Sequence, residues 1–185
     1  MIANRGEIAV RIVRSCAEMG IRSVAIYTDA DRYSLHVKKA DEAHCIGAES
    51  VAGYLNAHRI INLALATNCD AIHPGYGFLS EDPTLAQICA QRNIIFIGPS
   101  ADVITLMGDK LKARKAAQEA GVPVIPGSDD NVQSIDEALK IAENIGYPIM
   151  LKATGGGGGR GIRRCNNIAE LHNNFERVKS EVSKS

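Results

Sequence analysis

The sequence has no excess of charge of either sign and no long hydrophobic run. Lys and Arg number 21 among its 185 residues, Asp and Glu also number 21, and the net charge is zero. Because non-specific nucleic-acid binding depends on excess positive charge, this balance argues against a nucleic-acid partner. The apolar runs fall far short of the ~18 residues that a membrane helix needs, which argues against a membrane partner.

A cleavable signal pattern is also missing from the N-terminus. Arg5 and Glu7 interrupt any apolar stretch almost at once, whereas a signal peptide needs an uninterrupted apolar region. We therefore expect a cytoplasmic protein, or a mitochondrial one if the source is eukaryotic, and no transit peptide is visible.

The cysteines lack the spacing of a zinc site or a disulfide framework. They occur singly, form no Cys-x-x-Cys pair and are odd in number, whereas both kinds of site need clustered or even-numbered cysteines. We predict no metal site from them and expect all of them to be reduced and mostly buried. They are Cys16, Cys45, Cys69, Cys89 and Cys165.

Residues 1–99 alternate short apolar runs with segments of helical periodicity. This pattern is typical of strand–helix–strand units around a parallel sheet, and it predicts a doubly wound α/β domain. Residues 100–124 follow as a helical connector, in which Gly108 is expected to break the helix. The prolines of Val122–Gly127 force extended geometry and mark a domain boundary.

A second α/β segment occupies residues 125–185. Ser134 and Glu137 have the spacing of a capping box and predict a helix that Gly146 ends. A strand over 147–153, a glycine loop and a returning strand over 161–165 come next, and then a last helix capped by Asn167 and Glu170. So few elements cannot cover both faces of a sheet, so this segment is expected to be incomplete.

The glycine loop is the strongest local signal for chemistry. Gly155, Gly156, Gly157, Gly158 and Gly159 are consecutive and lie between the two predicted strands. Residues without Cβ let successive backbone N–H groups approach an anion, and phosphate is the obvious guest. The alternative is a flexible linker, although linkers are usually rich in Gly and Ser and lack flanking strands.

The residues and elements around the glycines indicate which kind of nucleotide-binding loop this is. A dinucleotide fingerprint must open a helix and a P-loop must end in Gly-Lys-Ser/Thr, and neither holds here. A glycine hairpin that folds over phosphates fits better, with Lys152 on the preceding strand and Lys110 on the connector as cations. The alternative for each lysine is a solvated surface charge, but Lys152 interrupts an otherwise apolar strand.

Two further loops leave predicted strands of the first domain, where ligands bind in doubly wound folds. One runs over 73–81 and contains His73, Tyr76 and Glu81, and the other covers Asn4–Glu7. The alternative for both loops is simple packing on the sheet, and His73 is as readily explained by a hydrogen bond that holds it in place.

Taken together, these stretches resemble biotin carboxylase, the ATP-grasp component of biotin-dependent carboxylases, over the whole chain and in the right order. The six motifs that carry the resemblance are IANRGEIA at 2–9, HPGYGFLSE at 73–81, FIGP at 96–99, MGDK at 107–110, VPVIPG at 122–127 and KATGGGGGRG at 152–161.

The resemblance implies a Rossmann-like N-terminal domain over 1–99, a connector over 100–124 and part of an ATP-grasp lid over 125–185. It implies that MgATP activates bicarbonate to carboxyphosphate, and that the carboxyl group passes to biotin on a carrier protein or domain. Lys110, Lys152 and Gly155–Gly159 would contact ATP phosphates, with Gly158 and Gly159 nearest. Tyr76 would lie beside the biotin site.

The resemblance also implies partners: a carboxyltransferase component, and a second copy of the chain in a homodimer. The residues that match the dimer interface are Arg11, Arg14 and Glu18. Members of this family begin slightly before Ile2, and their Mg²⁺ ligands, adenine clamp, bicarbonate-binding Arg and Lys and catalytic Glu lie beyond Ser185. No catalytic residue is therefore assigned here, and we expect the 185-residue chain alone to be inactive.

Two other functions remain open at the level of sequence. One is another ATP-grasp ligase of the carbamoyl-phosphate or purine-pathway type, which the 73–81 motif disfavours. The other is a non-catalytic module that binds nucleotide or only dimerises. Stretches at 53–58 and 161–165 resemble the separate biotin carboxylase subunits of bacterial pyruvate carboxylases, but the acceptor of the carboxyl group is not specified by these motifs.

Overall fold

The computed structural model describes residues 1–48, 51–152 and 161–182. The chain divides into two compact units, Met1–Asp109 and Lys110–Ser185. Both contain helices and strands, so the predicted mixed α/β class is confirmed. The division of the chain at 99 and 124 stays a prediction.

The first unit is built on short parallel strands. β1 (Val24–Tyr27) pairs with β2 (Glu42–Cys45), and β3 (Ala71–Ile72) pairs with β4 (Ile95–Phe96). Ile2 joins the two pairs, since it bridges Ala25 on one side and His73 on the other, both in parallel. The order across the sheet is therefore β2, β1, the Ile2 segment, β3 and β4.

Helices connect these strands, and local capping explains where several of them begin. The side chains of Asn56, Asp82 and Ser100 accept hydrogen bonds from the first turns of the helices that follow them. The helices of this unit are α1 (Gly6–Glu18), α2 (Leu35–Lys39), α3 (Ala57–Ala66), α4 (Pro83–Gln91) and α5 (Ala101–Gly108). Short 3-10 helices cover Asp29–Asp31, Ala52–Leu55 and Phe78–Ser80.

The core of the first unit lies between the sheet and the helices. Tyr54 is the largest side chain among those that are fully buried, and its ring stacks on Phe78 with centroids 5.8 Å apart. Around it pack apolar side chains of β1, β3, α3 and α4, among them Ile26, Ile72, Ile60 and Leu85. This core fixes the strands whose carboxyl ends carry the loops described below.

In its described residues, 110–152 and 161–182, the second unit contains an antiparallel strand pair and three helices. β5 (Ile149–Lys152) pairs with β6 (Ile162–Cys165), and the helices are α6 (Lys110–Glu119), α7 (Ile135–Ile145) and α8 (Ile168–Val182). The Ser134 cap of the predicted capping box is confirmed, because Glu137 N donates to Ser134 Oγ at 3.2 Å. The reciprocal bond differs from the prediction, since the Glu137 carboxylate accepts from Gln133 N, one residue before the cap, at 2.9 Å. Leu171 and Phe175 of α8 pack with Ala142 and Cys165 in its core.

The connector and the cysteines follow the sequence predictions in part. The connector predicted over 100–124 is helical with one break, but the break falls at Asp109, directly after Gly108, and the helices on either side, α5 and α6, belong to different units. All cysteines are free. The expectation that they are mostly buried is too strong, since only Cys89 and Cys165 are buried and Cys45 is exposed. Within the described ranges, every helix is too short or too polar to cross a membrane.

Candidate functional site

The sheet brings the two candidate loops of the first unit together. Ile2 pairs with β1 on one side and with His73 at the end of β3 on the other. The chain therefore leaves these neighbouring parallel positions through Asn4–Gly6 and through the 73–77 loop, which meet at one edge of the sheet. In open α/β sheets such a place, outside the carboxyl ends of strands, is where ligands bind.

Asn4 connects the two loops. Its side chain is 3% exposed, and its Nδ2 donates to Pro74 O at 2.7 Å and to Tyr76 O at 3.0 Å. Its Oδ1 accepts from Arg5 N at 2.9 Å. These partners assign the orientation of the Asn4 amide, because the two carbonyls can accept only from its nitrogen and the Arg5 N–H can donate only to its oxygen.

The 73–77 loop approaches Asn4 closely. Gly75 has φ +70°, and a Cβ at this position would lie 2.5 Å from Asn4 Nδ2 and 2.8 Å from Ile8 Cγ2. Glycine is therefore required here by both conformation and space. Gly75 N also donates to His73 Nδ1 at 3.0 Å, and burial lowers the pKa of His73. This contact agrees with the alternative in which His73 holds the loop in place.

Tyr76 is presented to solvent at the tip of this loop. Its side chain is 64% exposed, and its hydroxyl donates to Glu7 Oε1 at 3.0 Å. The hydrogen bond and the negative charge of Glu7 raise the pKa of Tyr76. Glu7 lies in the first turn of α1. Its bond to Tyr76 is therefore a second contact, besides those of Asn4, between residues 4–7 and the 73–77 loop.

A partly buried ionic network lies beside these loops, and the sequence analysis missed it. Arg5 donates from Nε to Asp31 Oδ2 at 2.6 Å and makes a second bond from Nη2 to Asp31 Oδ1. The Tyr54 hydroxyl donates to Asp31 Oδ2 at 2.7 Å, and Thr28 N donates to the Tyr54 hydroxyl at 3.3 Å. The guanidinium of Arg5 lies over the Tyr54 ring, 6.0 Å from its centroid.

The network shifts the ionisation of its members in consistent directions. The hydrogen bonds that Asp31 accepts from Arg5 and Tyr54 lower its pKa to about 2, although burial acts to raise it. Burial and the bond to Asp31 raise the pKa of Tyr54 to about 12. The bond to Asp31 raises the pKa of Arg5. No local pattern could have revealed this set, because Asp31 is 26 residues from Arg5 and 23 from Tyr54.

The α1 face that was predicted to form a dimer interface is exposed. Arg11, Arg14 and Glu18 are all exposed and lie on one side of the helix. Arg14 Nε donates to Glu18 Oε1 at 2.8 Å, an i,i+4 pair in which the side chains are 81% and 62% exposed. Because such a surface pair contributes little to stability, breaking it to form other contacts would cost little free energy. The interface itself stays a prediction.

In the second unit, Lys152 ends β5 opposite Ile162 of β6. The alternation along β5 explains why a lysine interrupts an apolar strand: Ile149 and Leu151 pack against the core, whereas Met150 and Lys152 are exposed. Lys110 is the exposed first residue of α6. The glycine loop, Gly155–Gly159, lies outside the described residues.

The described residues supply no obvious metal centre. Across 1–48, 51–152 and 161–182 there is no group of three or more His, Cys, Asp or Glu side chains placed to hold a metal ion. No metal ligand is therefore assigned within these ranges.

Comparison with known families divides the chain almost where the structure does. Residues 1–104 match the family described as "Biotin carboxylase, N-terminal domain". Residues 109–185 match "Carbamoyl-phosphate synthase L chain, ATP binding domain".

Individual relatives agree with the first of these matches. The chain is 51% identical over its whole length to the 2-oxoglutarate carboxylase small subunit of Hydrogenobacter thermophilus and covers 39% of that protein. It is 56% identical over 98% of its length to a biotin carboxylase of Nostoc sp. and covers 41% of it. The chain thus spans about two fifths of the length of these curated relatives.

Solved structures show the same likeness. One is the biotin carboxylase domain dimer of the Hydrogenobacter thermophilus 2-oxoglutarate carboxylase in complex with MgADP, ADP and bicarbonate. It matches with a TM-score of 0.87 and 51% identity, covering 100% of this chain and 41% of that one. A Campylobacter jejuni biotin carboxylase matches with a TM-score of 0.88 and 48% identity, covering 99% and 41%. On the family match over residues 1–104 and on these relatives, the chain belongs to the biotin carboxylase family.

Proposed function

We propose that the protein containing this chain carboxylates biotin, using MgATP to activate bicarbonate through carboxyphosphate. The observation that carries the proposal is the antiparallel β5–β6 pair. Because Lys152 and Ile162 are paired, the segment with consecutive glycines connects two adjacent strand ends and follows directly on a lysine. This arrangement suits a loop that closes over phosphates.

The roles of the residues follow from their chemistry. Lys110 and Lys152 bind phosphate oxygens of ATP, and the N–H groups of Gly155–Gly159 cradle them. Cations and N–H dipoles placed where charge develops are the main source of rate enhancement in phosphoryl transfer. Mg²⁺ enters bound to ATP and neutralises phosphate charge, and no residue of this chain is assigned as its ligand.

The first unit supplies the biotin side of the proposed reaction. Tyr76 lies beside the bound biotin, on a loop at the carboxyl end of β3. We propose that this unit is a Rossmann-like domain and that the second unit is part of an ATP-grasp lid. If the Ile2 segment is counted as the first strand, the strand order is 3-2-1-4-5, which is typical of Rossmann-type sheets.

The proposed partners follow from the reaction. Biotin is presented on a carrier protein or domain, and a carboxyltransferase component consumes the carboxybiotin, both in the cytoplasm. Two copies of the chain meet through Arg11, Arg14 and Glu18. The dimer in which the Hydrogenobacter thermophilus relative crystallised supports the pairing of two copies.

A second candidate is another ATP-grasp ligase, because the ATP-binding family matched by residues 109–185 is described by a carbamoyl-phosphate synthase. Such a ligase and a biotin carboxylase both cleave ATP with bicarbonate. Only the biotin carboxylase turns over faster when biotin is added, so the effect of biotin separates the two.

The test is ADP release by the full-length protein that contains this sequence, with ATP, Mg²⁺ and bicarbonate and with or without free biotin. We expect biotin to stimulate release. Lys152→Ala should raise KM for ATP by about tenfold or more, since a hydrogen bond from a charged donor contributes about 1.5–3 kcal/mol. Lys140→Ala is the matched control, because Lys140 is an exposed lysine on α7 of the same unit.

ADP release that does not respond to biotin would contradict the proposed reaction. An equal rise of KM in Lys152→Ala and Lys140→Ala would contradict the role of Lys152 while leaving the reaction standing.

A further inference from the structure

One buried amide holds the loop that carries Tyr76. Asn4 uses both hydrogens of its Nδ2 on that loop, donating to Pro74 O at 2.7 Å and to Tyr76 O at 3.0 Å. Its Oδ1 accepts from Arg5 N, so every hydrogen-bonding atom of the side chain has a partner. A side chain 3% exposed and fully paired keeps a single rotamer.

The segment on which Asn4 lies is itself fixed. Ile2 N donates to Val24 O at 2.8 Å and Ala3 N to His73 O at 2.9 Å. The carbonyls that accept from Asn4 belong to an irregular loop, in which Gly75 and Gly77 both have positive φ. Because this loop has no regular backbone hydrogen bonding of a strand or helix, its carbonyls need other partners, and the Asn4 amide provides them at Pro74 and Tyr76.

We propose that Asn4 is a positioning residue for biotin: its amide fixes the 73–77 loop and thereby the place of the Tyr76 ring, an inference that rests on the proposed function. The hydroxyl bond from Tyr76 to Glu7 cannot do this alone, because it joins two exposed side chains. Asn4 acts on the backbone on both sides of Gly75 and defines where the Tyr76 side chain begins.

The test is Asn4→Asp in the full-length protein. Aspartate has the same shape, but when ionised it turns two donated bonds into contacts between a carboxylate and carbonyl oxygens. We expect KM for biotin to rise by up to about thirtyfold at pH 8, since a neutral hydrogen bond contributes about 1 kcal/mol and two are lost. Bicarbonate-dependent ATP cleavage without biotin should stay unchanged.

A pH profile separates positioning from a general loss of structure. Once protonated, the introduced carboxyl donates one hydrogen bond again, so the ratio of variant to wild-type kcat/KM for biotin should rise as the pH falls. Asn56→Ala is the matched control, because it removes the hydrogen bond that caps α3 and leaves the Asn4 contacts with the 73–77 loop in place. Its KM for biotin should be unchanged.

A double-mutant cycle shows whether Asn4 acts through Tyr76. In a Tyr76→Ala background, Asn4→Asp should have little further effect on KM for biotin. If Asn4→Asp does not fold, Gly75→Ala tests the same contact from the other side, since its Cβ would lie 2.5 Å from Asn4 Nδ2. A wild-type KM for biotin in whichever of the two variants folds, or full additivity with Tyr76→Ala, would overturn the inference.

The two proposals fail in different ways. If the wild-type protein shows no ATP cleavage stimulated by biotin, the proposed function fails. If the wild type responds to biotin and Asn4→Asp responds equally well, the proposed function stands and the positioning role of Asn4 is wrong.

Discussion

The ionic network of the first unit predicts a stability loss that depends on pH. Asp31 accepts from Arg5 and from the Tyr54 hydroxyl, and its side chain is 7% exposed. The perturbation is Asp31→Asn, which keeps the shape of the side chain and removes its charge. Asp29→Asn is the matched control two residues away, because Asp29 is 47% exposed and pairs with Arg32 at the surface.

The magnitude follows from the ionisation of Asp31. Its pKa is about 2 in the folded chain against an ordinary value of 3.8. This difference corresponds to about 2 kcal/mol of stability, an upper value because Arg5 is 42% exposed and partly screened by water. Since the folded-state pKa is the lower one, the contribution is complete above about pH 4.5 and is lost as the pH falls through about 2.

Amide hydrogen exchange, read by mass spectrometry on peptides from β1 to β2, measures this effect. At pH 7 Asp31→Asn should accelerate exchange there by up to about thirtyfold, the factor that 2 kcal/mol implies. At pH 2.5 the difference from wild type should shrink to about 1 kcal/mol or less. Equal acceleration by Asp29→Asn, or a difference that does not shrink in acid, would refute the reasoning.

Packing and burial give two further predictions in the first unit. A Cβ on buried Gly53 would lie 2.8 Å from Thr28 Cγ2, so Gly53→Ala should lower the free energy of unfolding by about 1–3 kcal/mol and lower Tm. Gly108→Ala is the control, and it should leave Tm unchanged because there is open space around Gly108. Burial raises the pKa of Cys89 to about 11, so little of its reactive thiolate is present at pH 8. Iodoacetamide at pH 8 should therefore label exposed Cys45 well before Cys89, as read from a peptide map, and the reverse order would contradict the burial of Cys89.

Features with local causes could be predicted from the sequence. Ser134 and Asn167 were expected to cap helices, and they do so by accepting from Glu137 N and Glu170 N respectively. Alternating apolar runs and segments of helical periodicity identified the α/β class. These signals are contained within a few residues, so the pattern alone determines them.

Features that depend on distant parts of the chain could not be predicted. The short helix α2 (Leu35–Lys39) was missed, because its five residues are too few to show periodicity. The loops at Asn4 and His73 were both proposed as sites, but their contact joins residues that are 72 apart in the chain. Pairing across such distances is decided by the strand order, which no local pattern specifies.

The strand order also explains why the proposed substrate contacts can be tested one at a time. The Ile2 segment lies between β1 and β3, so the loops at Asn4 and Tyr76 are fixed by pairing within Met1–Asp109. Lys152 is fixed by pairing with β6 within the second unit. If each contact is determined within its own unit, Asn4→Asp should change KM for biotin and not KM for ATP, and Lys152→Ala should do the reverse. A variant that changed both equally would show that the two sets of contacts are not independent.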